Sequence, residues 1–188
     1  MAVFDVDELI KDCIAAAAET EPRLATRDVV RRVVDNGDEV TRAFASTEGG
    51  LGLLYNTPDL TVINIVWAPG MTLLPHDHRM WAVIGIYSGR EDNQFFRRDP
   101  DDSTRIVETN DRTLDPGQVV VLGDDTSHSV HNPLDRLTGA IHVYGGDFVR
   151  KPRSQWGPGE PVEQEYDFDF VLQTFADANT RAADRTNS

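Results

Sequence analysis

Two stretches of the sequence decide the fold: residues 70–89, GMTLLPHDHRMWAVIGIYSG, and residues 117–132, GQVVVLGDDTSHSVHN. The first stretch places His76 and His78 on either side of Asp77. Because side chains on a β-strand alternate between its two faces, residues two apart point to the same side and can both reach one ion. Such pairs also occur on ordinary protein surfaces, so this candidate metal site depends on the rest of the sequence for support.

The chain around these stretches is rich in short β-type runs. From about residue 51 to residue 149 they alternate with turn residues, which is typical of a sandwich or barrel. The runs are LTVINIVW, WAVIGIYS, NQFFRR, TRIVET, QVVVLG and LTGAIHVYGG. We therefore expect a mainly β fold.

Helical patterns flank the β-rich region. Apolar residues spaced three and four apart in residues 4–18 predict an amphipathic helix, Thr26 can cap a second helix, and residues 38–45 suit a third. One further helical face lies near the C-terminus. It consists of Phe168, Val171, Leu172 and Phe175.

These patterns divide a single domain into three parts. Residues 1–48 form an N-terminal helical segment packed on the barrel, and residues 49–150 form the barrel itself. Residues 151–188 hold the linker PRSQWGPGEPV, a short helix, and a final stretch, TRAADRTNS, that we expect to be frayed.

The charge balance excludes several kinds of partner. With 18 basic and 32 acidic residues, the net charge is −14 and the pI about 4.6, which disfavours nucleic acid.

The sequence has neither a secretory leader nor a long apolar run, so we expect a cytoplasmic protein without a membrane partner. A homodimer is compatible with the sequence. Because Cys13 is the single cysteine, any metal must rely on histidines and carboxylates.

The two opening stretches are similar to the signatures of the cupin superfamily. Residues 70–89 begin and end with glycine, as the first signature does. Residues 117–132 match the second signature at Gly117, His128 and Asn132, although its usual proline and glycine are replaced. The resemblance implies a cupin double-stranded β-helix, which is a jelly-roll barrel, with helices added at both ends.

A closer resemblance is carried by PHDH, SHSVHN and IHVYGG, which look like the cysteine dioxygenase family of thiol dioxygenases over roughly residues 50–150. That family holds Fe(II) with three histidines. The matching positions here are His76, His78 and His128. A histidine and a tyrosine beside the family's metal match His142 and Tyr144, which the resemblance implies are catalytic. Ligand type alone leaves zinc, nickel and manganese open.

The implied reaction is oxidation of a small thiol to a sulfinic acid with O₂. Many cupins have a glutamate as a fourth ligand, and Ala82 stands at that position. The ligand set is therefore neutral and leaves as many as three coordination positions for thiolate and dioxygen.

The sequence also departs from the family pattern. Ala140 stands where the family often has a serine two residues before the site histidine, so the proton relay is shortened. The stretch LLYNTPDLT lacks the arginine that clamps the carboxylate of cysteine. Candidate pocket residues are Trp81, Tyr55 and Arg79, and we expect His131 to be solvent-facing or structural.

Two other functions stay open. One is a metal-dependent cupin that acts on a non-thiol small molecule, as another dioxygenase or an isomerase. The other is a non-catalytic cupin that binds a metal or a ligand. In addition, His142 and Tyr144 could form a buried hydrogen bond that only satisfies the core.

Overall fold

The computed structural model describes residues 4–157 and 162–186. The helices of this part of the chain are α1 (Val6–Ala17), α2 (Pro22–Val34), α3 (Gly37–Ala43) and α4 (Phe168–Thr186). The strands are β1 (Gly50–Asn56), β2 (Thr61–Trp67), β3 (Thr72–Asp77), β4 (Ala82–Ser88), β5 (Glu91–Arg98), β6 (Ile106–Leu114), β7 (Val119–Leu122), β8 (Ser127–His131), β9 (Thr138–Tyr144), β10 (Ser154–Trp156) and β11 (Glu163–Glu165).

The strands form two antiparallel sheets. One has the order β1-β2-β9-β4-β7 and the other the order β11-β10-β3-β8-β5-β6. The pairing of the eight central strands is nested, since β2 pairs with β9, β3 with β8, β4 with β7 and β5 with β6. A long hairpin wound into two sheets gives this pattern, which is that of a jelly roll or double-stranded β-helix. The predicted fold class is confirmed.

Alternation along β9 separates two apolar cores. Ala140 and Tyr144 face the core between the two sheets, while Ile141 and Val143 face the core between the five-stranded sheet and the N-terminal helices. Strand β9 is buried along its whole length because both of its faces are covered. His142, between these residues, therefore points into the space between the sheets.

The N-terminal helices pack closely on the outer face of the five-stranded sheet. Gly85 of β4 lies beneath α2, where a Cβ atom would meet Cγ1 of Val30 at 2.4 Å and Cγ1 of Val34 at 3.0 Å. A side chain at position 85 would push the helix away from the sheet.

Gly85→Ala is expected to lower the free energy of unfolding by about 1–3 kcal/mol, because overpacking forces side chains and backbone to shift. Gly52→Ala on β1 is the matched control, since its nearest neighbours are 3.5 Å or more from the added carbon. There the loss of glycine flexibility should leave stability unchanged or raise it. Urea unfolding of the two variants measures the difference, and equal midpoints would contradict the close contact of α2.

Several expectations about the ends of the chain need correction. Thr26 does not cap α2 but lies inside it, because the helix already begins at Pro22, and proline is favoured in the first helical turn. The C-terminal helix is not short: α4 has 19 residues and runs to Thr186, through most of the stretch expected to be frayed. Residues 187–188 of that stretch lie outside the described residues.

The barrel also extends past residue 150. Strands β10 and β11 come from the predicted C-terminal segment, and β10 pairs with β3 at Gln155 opposite His76. Part of the predicted linker, residues 158–161, lies outside the described residues. None of the described helices combines the length and the apolar character that crossing a membrane requires.

Candidate metal centre

Three histidines meet between the two sheets. His76 on β3 is opposite His128 on β8 in the strand register, and His78 follows β3 directly. Nε2 of His78 lies 3.2 Å from Nε2 of His76 and 3.4 Å from Nε2 of His128. All three residues are buried, with exposed fractions of 4% or less. The structure thus brings together the three residues that the sequence indicated as metal ligands.

The outer nitrogens of these rings show where the lone pairs point. Nδ1 of His76 lies 2.9 Å from the carbonyl oxygen of Leu74, and Nδ1 of His128 lies 2.7 Å from Oδ1 of Asn93. Both partners are acceptors, so these two rings carry their protons on Nδ1 and turn the lone pairs of Nε2 toward each other. Nδ1 of His78 is buried without a hydrogen-bond partner.

Converging lone pairs fit a cation. A metal about 2.1 Å from each nitrogen holds its ligand nitrogens about 3.0–3.4 Å apart in octahedral or tetrahedral geometry, and the separations of 3.2 and 3.4 Å agree with this. Among the described residues, the group of side chains that could hold a metal ion consists of these three histidines and contains no carboxylate. Ala82, at the position of the absent acidic ligand, is fully buried in the core between the sheets.

The electrostatics of the site favour the form of histidine that binds metals. Burial lowers the pKa of His76 to about 4, and burial is also the largest cause that lowers the pKa values of His78 and His128 well below the ordinary value. The neutral imidazole is the form of histidine that binds metals, so burial favours that form in all three rings.

His142 and Tyr144 lie beside the three histidines. Nδ1 of His142 is 3.0 Å from the Tyr144 hydroxyl, and the ring of Tyr144 is 5.0 Å from that of His78 between centroids. Burial lowers the pKa of His142 to about 3 and raises that of Tyr144 far above its ordinary value. His142 is therefore neutral, and Tyr144 keeps its proton.

A small cavity of about 20 Å³ adjoins these side chains. A water molecule needs roughly 10–15 Å³ on this measure, so the cavity has room for an ion or a water but not for a larger molecule. Three of its walls, Tyr166, Val171 and Phe175, come from the C-terminal segment. Helix α4 therefore helps to close the mouth of the barrel.

The three candidate pocket residues do not line this cavity. Trp81 and Tyr55 pack against the core under the N-terminal helices. Trp81 points there because the next residue, Ala82, faces the core between the sheets. Arg79 points its guanidinium at Ser154 and Glu163, with separations of 2.7 and 3.0 Å. It joins β3 to the C-terminal strands.

His131 lies outside the histidine cluster. Its Nδ1 is 2.9 Å from Oγ1 of Thr72 and 3.1 Å from the carbonyl oxygen of Met71. These contacts link β8 to the start of β3. Of the two roles expected for His131, the geometry corresponds to the structural one.

The sequence did not predict two buried polar residues at the site, Glu91 and Asn93. Glu91 is fully buried at the start of β5 and accepts hydrogen bonds from Nε1 of Trp67 at 2.7 Å and Nδ2 of Asn93 at 3.0 Å. Burial raises the pKa of Glu91 to about 7, against the opposing effect of these two hydrogen bonds. Alternation in the run after Gly89 could have placed Glu91 and Asn93 on one face, but the predicted strand began only at Asn93.

A third residue, Arg153, had no signal in the sequence because it lies in the irregular connection after β9. It is 6% exposed, and its guanidinium stacks between the rings of Phe148 and Tyr166, 3.9 Å from each centroid. Its Nη1 donates to the carbonyl oxygen of Phe148, whereas its Nε has no hydrogen-bond partner, and no carboxylate of residues 4–157 or 162–186 pairs with it. Burial of His76 is the main cause that lowers its pKa, and the positive charge of Arg153 lowers that pKa further.

The nested pairing of the eight central strands in two sheets decides the architecture. The chain has a cupin fold. No protein-family model matches the chain. It is similar to an RmlC-like cupin family protein with a double-stranded β-helix fold from Methanocaldococcus jannaschii, with 12% identity over 56% of this chain and 86% of that chain, at a TM-score of 0.47.

Other solved structures are similar at the same level. The DMSP lyase DddQ from Ruegeria pomeroyi is 16% identical over 56% of this chain, with a TM-score of 0.44, and the match spans half of the lyase. KdgF from a Halomonas species is 17% identical over 54% of this chain and 83% of that chain, with a TM-score of 0.42.

Proposed function

We propose that this cupin is an Fe(II)-dependent dioxygenase that oxidises a small, negatively charged thiol to its sulfinic acid. In that reaction both atoms of O₂ form bonds to sulfur, and the four electrons that reduce O₂ come from sulfur. No external reductant is needed. The observation that carries the proposal is the neutral cluster of three converging histidine nitrogens with no acidic ligand.

A neutral ligand set suits this chemistry. His76, His78 and His128 would hold the ion through Nε2. When bound, Fe(II) supplies open coordination positions for a thiolate and O₂ together with the redox chemistry. Since the three histidines add no negative charge, the charge of an incoming thiolate is not opposed by a carboxylate ligand.

Tyr144 and His142 are proposed to hold a proton at the edge of the site. The hydroxyl of Tyr144 keeps its proton because burial raises its pKa, and Nδ1 of His142 is within hydrogen-bond distance of it. The hydroxyl has one proton, so it can donate either to Nδ1 of His142 or to an oxygen or sulfur atom next to the ion, and the pair can orient that atom without gaining or losing net charge.

Arg153 is the observation that favours a negatively charged substrate. A buried guanidinium without an acidic partner is costly, unless a ligand completes the pair. Both rings that enclose it, Phe148 and Tyr166, line the cavity at the histidines. A substrate carboxylate at Arg153 would take the place of the clamp that the sequence lacks ahead of its first signature.

Substrate entry requires part of the mouth to open. The cavity of about 20 Å³ does not admit a thiol of even two or three carbons. Tyr166, Val171 and Phe175 are the walls contributed by the C-terminal segment, and displacement of these side chains would enlarge the cavity without disturbing the strands that hold the histidines.

Oxygen consumption by the iron-loaded protein tests the proposal. With 3-mercaptopropionate, cysteine and cysteamine offered in turn, we expect one O₂ consumed per sulfinate formed, and preference for a thiol that carries a carboxylate. Zinc-loaded protein is the control, because zinc has no redox chemistry and should be inactive. Absence of uptake with every thiol at full iron loading would contradict the proposal.

A non-catalytic metal-binding protein is the second candidate, and the closed cavity favours it. In that case the protein would bind its metal tightly and release no product with any substrate. A non-thiol reaction would instead be indicated by turnover that continues without oxygen or with zinc in place of iron.

A further inference from the structure

Glu91 is a carboxylate without a cationic partner at the centre of the barrel. No arginine or lysine among the described residues pairs with it, and the two side chains that donate hydrogen bonds to it, Trp67 and Asn93, are neutral. His142 lies nearby but is itself neutral, since burial lowers its pKa to about 3. A buried carboxylate of this kind is costly to maintain, so its position calls for an explanation from its contacts.

One contact of Glu91 leads to a metal ligand. Asn93 donates through Nδ2 to Oε1 of Glu91, which leaves its Oδ1 to face Nδ1 of His128 at 2.7 Å. An acceptor at that place keeps the proton of His128 on Nδ1 and the lone pair on Nε2. Glu91 thus orients the amide of Asn93, and the amide fixes the tautomer of His128.

The other side of Glu91 faces the His142–Tyr144 pair. Nε2 of His142 is buried without a hydrogen-bond partner and lies 3.9 Å from Oε2 of Glu91. A shift of about 1 Å would bring these atoms within hydrogen-bond distance. A proton on Nε2 of His142 would leave Nδ1 as the acceptor for the Tyr144 hydroxyl, 3.0 Å away.

We infer that Glu91 is a positioning residue that fixes the tautomers of His128 and His142 together. Through Asn93 it presents the lone pair of His128 to the metal, and directly it presents Nδ1 of His142 to Tyr144. This role rests on the metal site of the proposed function. It also replaces the contribution of a side chain at position 140, where Ala140 offers no hydroxyl.

Glu91→Gln tests this positioning role, because glutamine keeps nearly the same shape as glutamate. Both neighbours of the carboxylate, Trp67 and Asn93, are donors, so the amide nitrogen of glutamine must face one of them or force Asn93 to turn over. A reversed Asn93 would present its NH₂ group to His128 and favour the tautomer that cannot bind a metal through Nε2. We expect the affinity for zinc to fall about 10- to 100-fold.

The readout that separates positioning from a structural role is the protonation of the histidine rings. In protein labelled with ¹⁵N-histidine and loaded with zinc, NMR should find the proton of His142 on Nε2 in the wild type and displaced toward Nδ1 in Glu91→Gln. Tyr87→Phe is the control, because it removes another buried hydrogen bond, to Asn64, in the core under the helices. It should leave zinc affinity and both tautomers unchanged.

Two results would overturn the inference: a wild-type His142 with its proton on Nδ1, or Glu91→Gln with wild-type zinc affinity and wild-type tautomers. If Glu91→Gln does not fold, the tautomer of the wild-type protein decides. Neither readout involves a thiol or oxygen, so failure of the thiol reaction and failure of this role are told apart.

Discussion

His128→Ala is expected to abolish stoichiometric metal binding. In the proposed site, three protein ligands among the described residues would hold the ion, all through Nε2. Loss of an outer partner of a ligand already weakens binding about 10- to 100-fold, so loss of a ligand should weaken it more than about 100-fold. Elemental analysis after dialysis, together with calorimetric titration of Fe(II) under anaerobic conditions, measures the change.

His131→Ala is the matched control for this prediction. His131 lies on the same strand three residues away, and its Nδ1 contacts Thr72 and Met71, not the cluster. It should retain the metal content of the wild type. Equal metal loss in both variants would indicate that binding depends on the integrity of β8, and unchanged metal content in His128→Ala would refute the ligand set.

The cluster of His76, His78 and His128 was predictable because its signal is local. Two histidines spaced by one residue share a face of a strand, and the glycines around them match a recurring spacing. The alternation Ala140, His142, Tyr144 was equally readable from the sequence. Each of these predictions needs only the period of a strand and the positions of turns.

Glu91 and Arg153 could not be found in the same way, because their roles come from contacts between distant parts of the chain. Glu91 meets Trp67 of a strand in the other sheet, and an acidic residue two positions after a glycine is an ordinary feature of a turn. Arg153 follows the last central strand in an irregular stretch where no periodicity indicates which way a side chain points.

The three pocket candidates are the opposite case, because the sequence suggested them for the site and the structure places them away from the cavity at the histidines. Trp81 and Arg79 lie inside the first signature, but alternation turns Trp81 elsewhere and a left-handed backbone turns Arg79, while Tyr55 on β1 packs under the N-terminal helices. Arg79 has a φ of 51°, which directs its side chain toward Ser154 and Glu163. Nearness along the chain predicts a shared site only for residues on the same face of the strand.

Arg153→Met is the second substitution with a large expected effect, and it should act selectively. If Arg153 binds the substrate carboxylate, removal of its charge leaves that carboxylate buried without a partner, at a cost of about 2 kcal/mol or more. This corresponds to a roughly 30-fold fall in kcat/KM for 3-mercaptopropionate. Cysteamine has the same thiol but no carboxylate, so its kcat/KM should stay the same or rise once the buried positive charge is gone.

The matched control is Arg90→Met, which removes an arginine paired with Asp115 at the protein surface, where ion pairs contribute little. It should leave the kinetics of both thiols unchanged. An equal loss of activity toward 3-mercaptopropionate and cysteamine in Arg153→Met would mean that Arg153 only supports the packing of Phe148 and Tyr166. A loss confined to the carboxylate substrate would instead place the substrate's negative charge against the Arg153 guanidinium, whose faces are covered by these two rings, and would give this buried cation the acidic partner that it lacks among the described residues.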